Sequence, residues 1–273
     1  MQFLITKSYP HKALKTQNKK LCALALSIGA LFFSVFPTLT AAQESEIAEV
    51  PIESSPIDLT PYTAEYNVLR KGKIHGKATR ELEKVDENTY LVRYTSNIKW
   101  MIFSDDRKEE TTFTLNNDQV HPETYLMERV GTGPDKSYNV VFDKNKKSIV
   151  HSEKEYPLTV EWRDDWQDLL SYQTQLRLDI KAGKTQFSYP IIDKDGDERN
   201  YAFEVIGTET ITLPIGNFET IKVKRVYDND KRQVFVWFAP SLDYMLVQLF
   251  KGKDGVEQFQ IQLKSFNNSE ISL

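Results

Sequence analysis

From Tyr62 onward the chain is cut by short polar turns, and the runs between them are rich in β-branched and aromatic residues. Segments of that length and composition pair as strands rather than coil as helices. Tyr62–Leu69 is followed by the turn Arg70-Lys71-Gly72-Lys73, then Ile74–Val85, then Asp86-Glu87-Asn88 and Thr89–Ile98. Further strands are expected at 107–115, 123–130, 136–142 and 148–152, and again at 185–192, 199–207, 218–227, 233–238, 244–250 and 256–266. In the last of these Phe259, Ile261 and Leu263 alternate with Gln258, Gln260, Gln262 and Lys264. Successive side chains of a strand point to opposite faces, so this one has an apolar face and a wet face, as in an antiparallel sheet with one solvated side. Val234–Phe238 is apolar on both faces and should be covered twice.

One helix fits the remaining pattern. Trp166, Leu169, Leu170, Leu176 and Ile180 fall on one stripe, so a helix is expected over about Asp165–Ala182, capped by Asp164 or Asp165 and ended at Gly183. The expected fold is therefore all-β: a curved, antiparallel, barrel-like sheet with one packed helix. Trp237 is expected between that sheet and the helix.

The first 42 residues carry a different message. Lys7, Lys12, Lys15, Lys19 and Lys20 precede an apolar run of 16 residues, Leu21 to Phe36, which ends in Pro37-Thr38-Leu39-Thr40-Ala41-Ala42. A basic head, a short apolar run and small residues at its close are the marks of a secretory signal peptide, and cleavage is expected after Ala42. The run is shorter than the roughly 20 residues of a spanning helix, so no stable membrane span is expected after cleavage. Residues 43–60, acidic and with two prolines, read as a disordered linker. Residues 61–266 form the β-rich domain and 267–273 a frayed tail. The expected location is the periplasm.

Cleavage removes the sole cysteine, Cys22, and all five leader lysines. The exported chain then has no disulfide and no thiolate chemistry, and its 30 basic residues face 39 acidic ones. That balance excludes nucleic acid as a partner held by phosphate neutralisation, and it offers no basic patch for anionic lipid headgroups.

The run from Ile206-Gly207-Thr208-Glu209-Thr210 through Leu213-Pro214-Ile215-Gly216-Asn217-Phe218, then Val236-Trp237-Phe238-Ala239-Pro240 and Tyr244-Met245-Leu246-Val247, resembles an uncharacterised bacterial envelope family, domain of unknown function 3108. Asp168-Leu169-Leu170-Ser171-Tyr172 and Tyr62-Thr63-Ala64-Glu65-Tyr66-Asn67-Val68 match its style as well. The resemblance implies a β-rich exported protein of Gram-negative type and carries over no catalytic residue. The residues themselves read structurally. Pro214 and Gly216 make a tight connection, and Pro240 ends the pairing of the strand before it.

Candidate chemistry is sparse. His75, His121 and His151 are scattered, with no His-Glu-x-x-His, and no metal site or cofactor is expected. Asp193-Lys194-Asp195-Gly196-Asp197-Glu198 has calcium-like spacing, but it lies between strands and reads as a hairpin turn. There is no Gly-x-Ser-x-Gly elbow and no phosphate loop. The pairs Asp105-Asp106, Glu109-Glu110 and Asp164-Asp165 point to opposite faces if they lie in strands, so none is a carboxylate dyad by itself. No catalytic residue is assigned. Trp162, Trp166 and Trp237 are the candidate ligand-binding residues, by stacking.

Three functions remain open. The leading one is non-catalytic binding of an apolar or amphiphilic envelope component, or of a partner protein, in envelope assembly or maintenance. The second is an enzyme acting on envelope glycan, with Trp162, Trp166, Asp164 and Asp165 near its cleft. The third is a structural interaction module. An apolar cavity favours the first, an open acidic groove the second and a filled core the third.

Overall fold

The structure is a computed structural model and describes residues 59–273; the expected signal peptide and nearly all of the expected linker lie outside the described residues. Thirteen strands and one α-helix run in the order β1 (Tyr62–Arg70), β2 (Lys73–Lys84), β3 (Thr89–Trp100), β4 (Phe103–Asn116), β5 (Gln119–Gly131), β6 (Lys136–Asp143), β7 (Ser148–His151), α1 (Ser171–Lys181), β8 (Gln186–Ile192), β9 (Glu198–Leu213), β10 (Gly216–Val226), β11 (Arg232–Ala239), β12 (Met245–Lys253) and β13 (Val256–Asn268). The thirteen expected strands are all present. The largest change in bounds is in β9, which continues six residues past Gly207 before the Pro214-Ile215 turn.

All thirteen strands join in one antiparallel sheet, in the order β7-β6-β5-β4-β3-β2-β1-β13-β12-β11-β10-β9-β8. It consists of two meanders, and the seam between them is the pairing of β1 with β13, from Tyr62 opposite Asn268 to Leu69 opposite Gln260. Extra residues in the ladder at Glu65/Tyr66, Val68/Leu69, Thr112/Phe113, Lys222/Val223 and Trp237/Phe238 bend the strands. Such bulges add twist and curl a sheet.

The sheet does not close, because β7 and β8 do not pair. The connection between them fills the gap. Leu158 N–H donates to Ile149 O on β7, and Gln167 bonds β8 from both sides, its N–H to Pro190 O and its O from Ile192 N–H. A Cβ on Gly196, in the β8–β9 turn, would lie 3.2 Å from both Leu158 and Lys154. The two edges are thus sealed by irregular chain, which removes them as templates for aggregation.

The helix begins six residues later than its apolar stripe suggests. Trp166 lies before it, and neither Asp164 nor Asp165 caps it. Leu170 stands at the N-cap without a side-chain bond, and Asp168 braces the turn that leads into the helix: its Oδ1 accepts from the N–H groups of Leu170 and Ser171, and Ser171 Oγ accepts from Asp168 N–H. Most of the helix is buried on every side, including Thr174, Gln175, Arg177 and Asp179. A helix lying on a sheet would keep one wet face; this one is surrounded because it plugs one end of the curled sheet. Gln175 Oε1 accepts from Val120 N–H at the β4–β5 turn. Arg80 on β2 donates to Gln173 Oε1 and Thr174 Oγ1. Arg177 reaches Asp243, beyond the 3-10 turn Pro240–Leu242, at 2.6 Å, and Lys181 reaches the same carboxylate at 2.7 Å.

The C-terminal residues are not frayed. Phe266 and Leu273 exchange two backbone hydrogen bonds, and Ile271 O accepts from Asn268 N–H.

Candidate functional site

The three tryptophans singled out from the sequence do not meet. Trp166 is buried, and its indole N–H donates to Glu161 O. Trp162, partly buried, donates to Asp164 Oδ1, and Arg163 holds Asp165 through two bonds of 2.9 and 3.0 Å. The acids next to these tryptophans are therefore occupied by their own neighbours. Trp237 is buried, but away from the helix. On β11 it is Val236 and Phe238 that pack with Leu176 and Ile180 of α1. Trp237 points to the opposite face, where its indole donates to Glu209 on β9 and the Lys222 ammonium sits 4.9 Å from its ring. The bulge near Gly207 and the length of β9 and β10 carry that hairpin to this outer face, which nothing in the β11 sequence alone could indicate.

The histidines do not converge either. His75 stands edge-on to Trp100, His121 Nδ1 lies 3.0 Å from Asp164 O, and His151 stacks on Tyr138. Among the described residues no three His, Cys, Asp or Glu side chains gather as metal ligands. The Asp193–Asp197 turn is held internally: Asp193 accepts from Asp195 N–H, Asp197 N–H and Arg199.

The interior of the curl is a more promising site, and it has two halves. At the α1 end the inward residues Tyr66, Leu82, Tyr90, Phe113 and Leu263 are fully buried. Beyond the first turn of α1 the same strands stay inward-facing but lose their cover. Val68 is buried, yet its register partner Ile261 and the next, Leu249, are only half-buried. Tyr94, Ile98, Val234 and Phe259 are half-buried in the same way. These residues form an inward apolar wall that solvent can reach, while a cavity of about 370 Å³ lies at the other end of the sheet, beside Pro61, Tyr62, Leu82 and Asn267.

Cations line that wall. Lys251, inward on β12 between Val234 and Phe259, lies 5.5 Å over the Phe259 ring. Arg225, inward on β10, stacks 3.4 Å over Tyr201 and 4.7 Å from Tyr227, and its buried Nε has no hydrogen-bond partner. Neither Lys251 nor Arg225 has an ion-pair partner among the described residues. Lys251 is exposed as a residue, but partial desolvation of its amine holds it below its usual range, and the positive charges of Arg107, Arg225 and Arg232 push it further down. Arg107 is inward on β4, opposite Ser96 of β3. The acids nearby are spent or suppressed. Asp105 is held by Arg107 and Arg129, and burial raises Glu109, whose Oε2 accepts from Tyr125.

None of these wall cations carries a local sequence signal. Each sits on a different strand, and only the register brings Arg107, Arg225 and Lys251 to one face.

Comparison with known proteins agrees with this architecture. A β-barrel-like protein of domain of unknown function DUF1849 from Brucella abortus matches with a TM-score of 0.52 at 11% identity, over 79% of this chain and 100% of that one. A putative lipoprotein from Parabacteroides distasonis (TM-score 0.31, 11% identity, 77% and 96% covered) and a putative exported protein with a YmcC-like fold from Bacteroides fragilis (0.30, 11%, 77% and 97%) are more distant. No curated protein matches the sequence. The family model described as protein of unknown function DUF3108 matches residues 61–260, nearly the whole described domain, and the chain belongs to that family.

Proposed function

We propose that this protein is an exported, non-catalytic binder of an amphiphile with an acidic head, held in the concavity beyond α1. One observation supports the reading above the others: half-exposed apolar residues and unpaired cations share one inward wall. The apolar portion would lie against Ile98, Leu249, Phe259 and Ile261, and the head against Lys251 and Arg225. Each methylene removed from water contributes about 0.8 kcal/mol, so a chain of modest length offsets the cost of association. An acidic head supplies the counter-charge that Arg225 and Lys251 lack. The signal-like leader supports a periplasmic setting, where envelope amphiphiles are at hand. A partly open interior favours this reading over a filled structural module, and the occupied acids around Trp162 give the glycan-cleaving alternative no dyad.

The test compares an eighteen-carbon fatty acid with its methyl ester by native mass spectrometry and fluorescence displacement. The acid is expected to bind one to one, and Lys251→Glu with Arg225→Gln to weaken it about tenfold, as removal of a charge partner at an interface does. Equal binding of acid and ester would sink the assignment of the head to the cations. Absence of any uptake, together with release of reducing ends from peptidoglycan, would replace the binding reading with the enzymatic one.

A further inference from the structure

At the open end of the concavity the β3–β4 hairpin projects a short apolar tip. Met101 and Ile102 are each 85% exposed, Phe103 50% and Trp100 40%. Ile74 on β2 and Val130 on β5, which end at the same side of the sheet, are also largely exposed. Water-soluble surfaces rarely gather this many large apolar side chains in one place without a partner. The tip is also built to stay extended. Thr132 of the next hairpin donates its N–H to Ser104 O and accepts from Ser104 N–H at its hydroxyl, 2.9 Å in both cases. Trp100 and Phe103 stack at 6.1 Å, so the backbone is braced while the apolar side chains remain uncovered.

The adjoining β1–β2 turn is cationic. Arg70 lies 4.4 Å over the Trp100 ring, which ties the two hairpin ends together, and Lys71, Lys73 and Lys99 are exposed beside it. Residues 70–73 and 99–104 contain no acid. Several acids nearby are engaged: Glu257 accepts from Lys71 N–H, Asp105 is paired with Arg107, Asp106 accepts from Asn97, and Asp135 accepts from Gly131 N–H. The acidic balance of the whole chain predicted no basic patch for lipid headgroups. The fold nevertheless concentrates four cations around an apolar lip.

We propose that this lip docks on a bilayer containing anionic phospholipid, with Trp100, Met101, Ile102 and Phe103 entering the interface and Arg70, Lys71, Lys73 and Lys99 against the headgroups. Tryptophan at the headgroup level, aliphatic side chains just below and a basic collar above is the composition by which proteins rest on membranes without spanning them. The docking goes beyond the binding reading and does not depend on what the concavity holds.

The purified exported chain should sediment with phosphatidylcholine vesicles that contain one-third phosphatidylglycerol, and much less with phosphatidylcholine alone. Met101→Asp with Ile102→Asp, and separately Lys71→Glu with Lys73→Glu, should each weaken sedimentation about tenfold with an unchanged circular dichroism spectrum. Both pairs are exposed, so the fold does not rely on them. Lys146→Glu, on the exposed β6–β7 turn at the opposite end of the sheet, should sediment as the wild type does, which separates the lip from charge elsewhere on the surface. Wild-type protein that ignores anionic vesicles would overturn the proposal, as would sedimentation that survives the Met101→Asp/Ile102→Asp change. A dimer that the same change dissolves, without vesicle binding, would assign the lip to a second copy of the chain instead.

Discussion

Trp237 and Asp168 carry opposite lessons at the scale of single residues. Trp237 reads as a core residue in the sequence, and it is one, but the face it occupies belongs to the β9–β10 hairpin and not to the helix. The alternation of β11 shows that two faces are covered; it cannot show by what. Trp237→Ala should lower stability by about 3 to 5 kcal/mol in denaturant melts, the usual range for a large aromatic removed from a core. Glu209 would also lose its indole donor. A loss below about 1 kcal/mol would mean that the outer hairpin does not cover it. Asp168 was visible only as one letter of a family-like string. In the structure its carboxylate is fully buried with Oδ2 unpartnered, and burial pushes its pKa up to about 6 despite the bonds from Leu170, Ser171 and Thr111. An unfolded aspartate ionises near pH 4, so between about 4 and 6 the folded protein holds a proton that the unfolded chain has lost. Stability should therefore fall as pH rises through this window, by about 3 kcal/mol, and level off above it. Asp168→Asn keeps the Oδ1 acceptor and cannot ionise, so its melts should lose that slope. A wild-type profile without the slope would show that the carboxylate is solvated.

At the scale of elements, the strands were legible and the helix only partly so. Period-two alternation and turn residues mark each strand locally, because a half-buried strand writes its own burial pattern. The helix stripe began too early because Trp166 and Leu170 are buried, and Leu169 half-buried, in an irregular segment that closes the gap between β7 and β8. Burial without helical geometry gives the same letters. The polar residues of α1 were invisible as core, since their partners sit on distant elements. Arg177 is an example: Asp243 supplies both its carboxylate and its backbone carbonyl. Asp243→Ala removes the carboxylate of this buried guanidinium and leaves it only the backbone carbonyl, which should cost about 3 kcal/mol. Arg177→Met should cost less, because the carboxylate that it leaves is partly exposed and keeps Lys181. Thermal melts of the two variants give the comparison, and a larger loss for Arg177→Met would contradict the plug.

The described domain is two meanders stitched along β1 and β13, and its candidate site is shared between them. Arg107 comes from the first meander, and Arg225 and Lys251 from the second. Neither half holds the site or its own edges alone, so the chain must form its longest-range pairing to be stable. That topology predicts slow folding for its size. It also predicts that a cut at the exposed Tyr156, in the connection between the halves, leaves the two pieces together. Limited proteolysis followed by size-exclusion chromatography should show co-elution, and separation of the pieces would mean the seam is weaker than its register implies.

The seam also sets how the domain responds to tension. β1 and β13 are antiparallel, so the start of one and the end of the other lie at the same end of the ladder, with Tyr62 opposite Asn268. A pull applied between Leu59 and Leu273 does not shear the rungs together. It opens them in sequence from that end, and each hydrogen bond contributes only about 1 kcal/mol to the resistance. The domain is thus mechanically soft along its own chain ends. Load applied there would unzip the middle of the sheet first, parting the two walls of the concavity while the β2–β7 and β8–β12 ladders still hold.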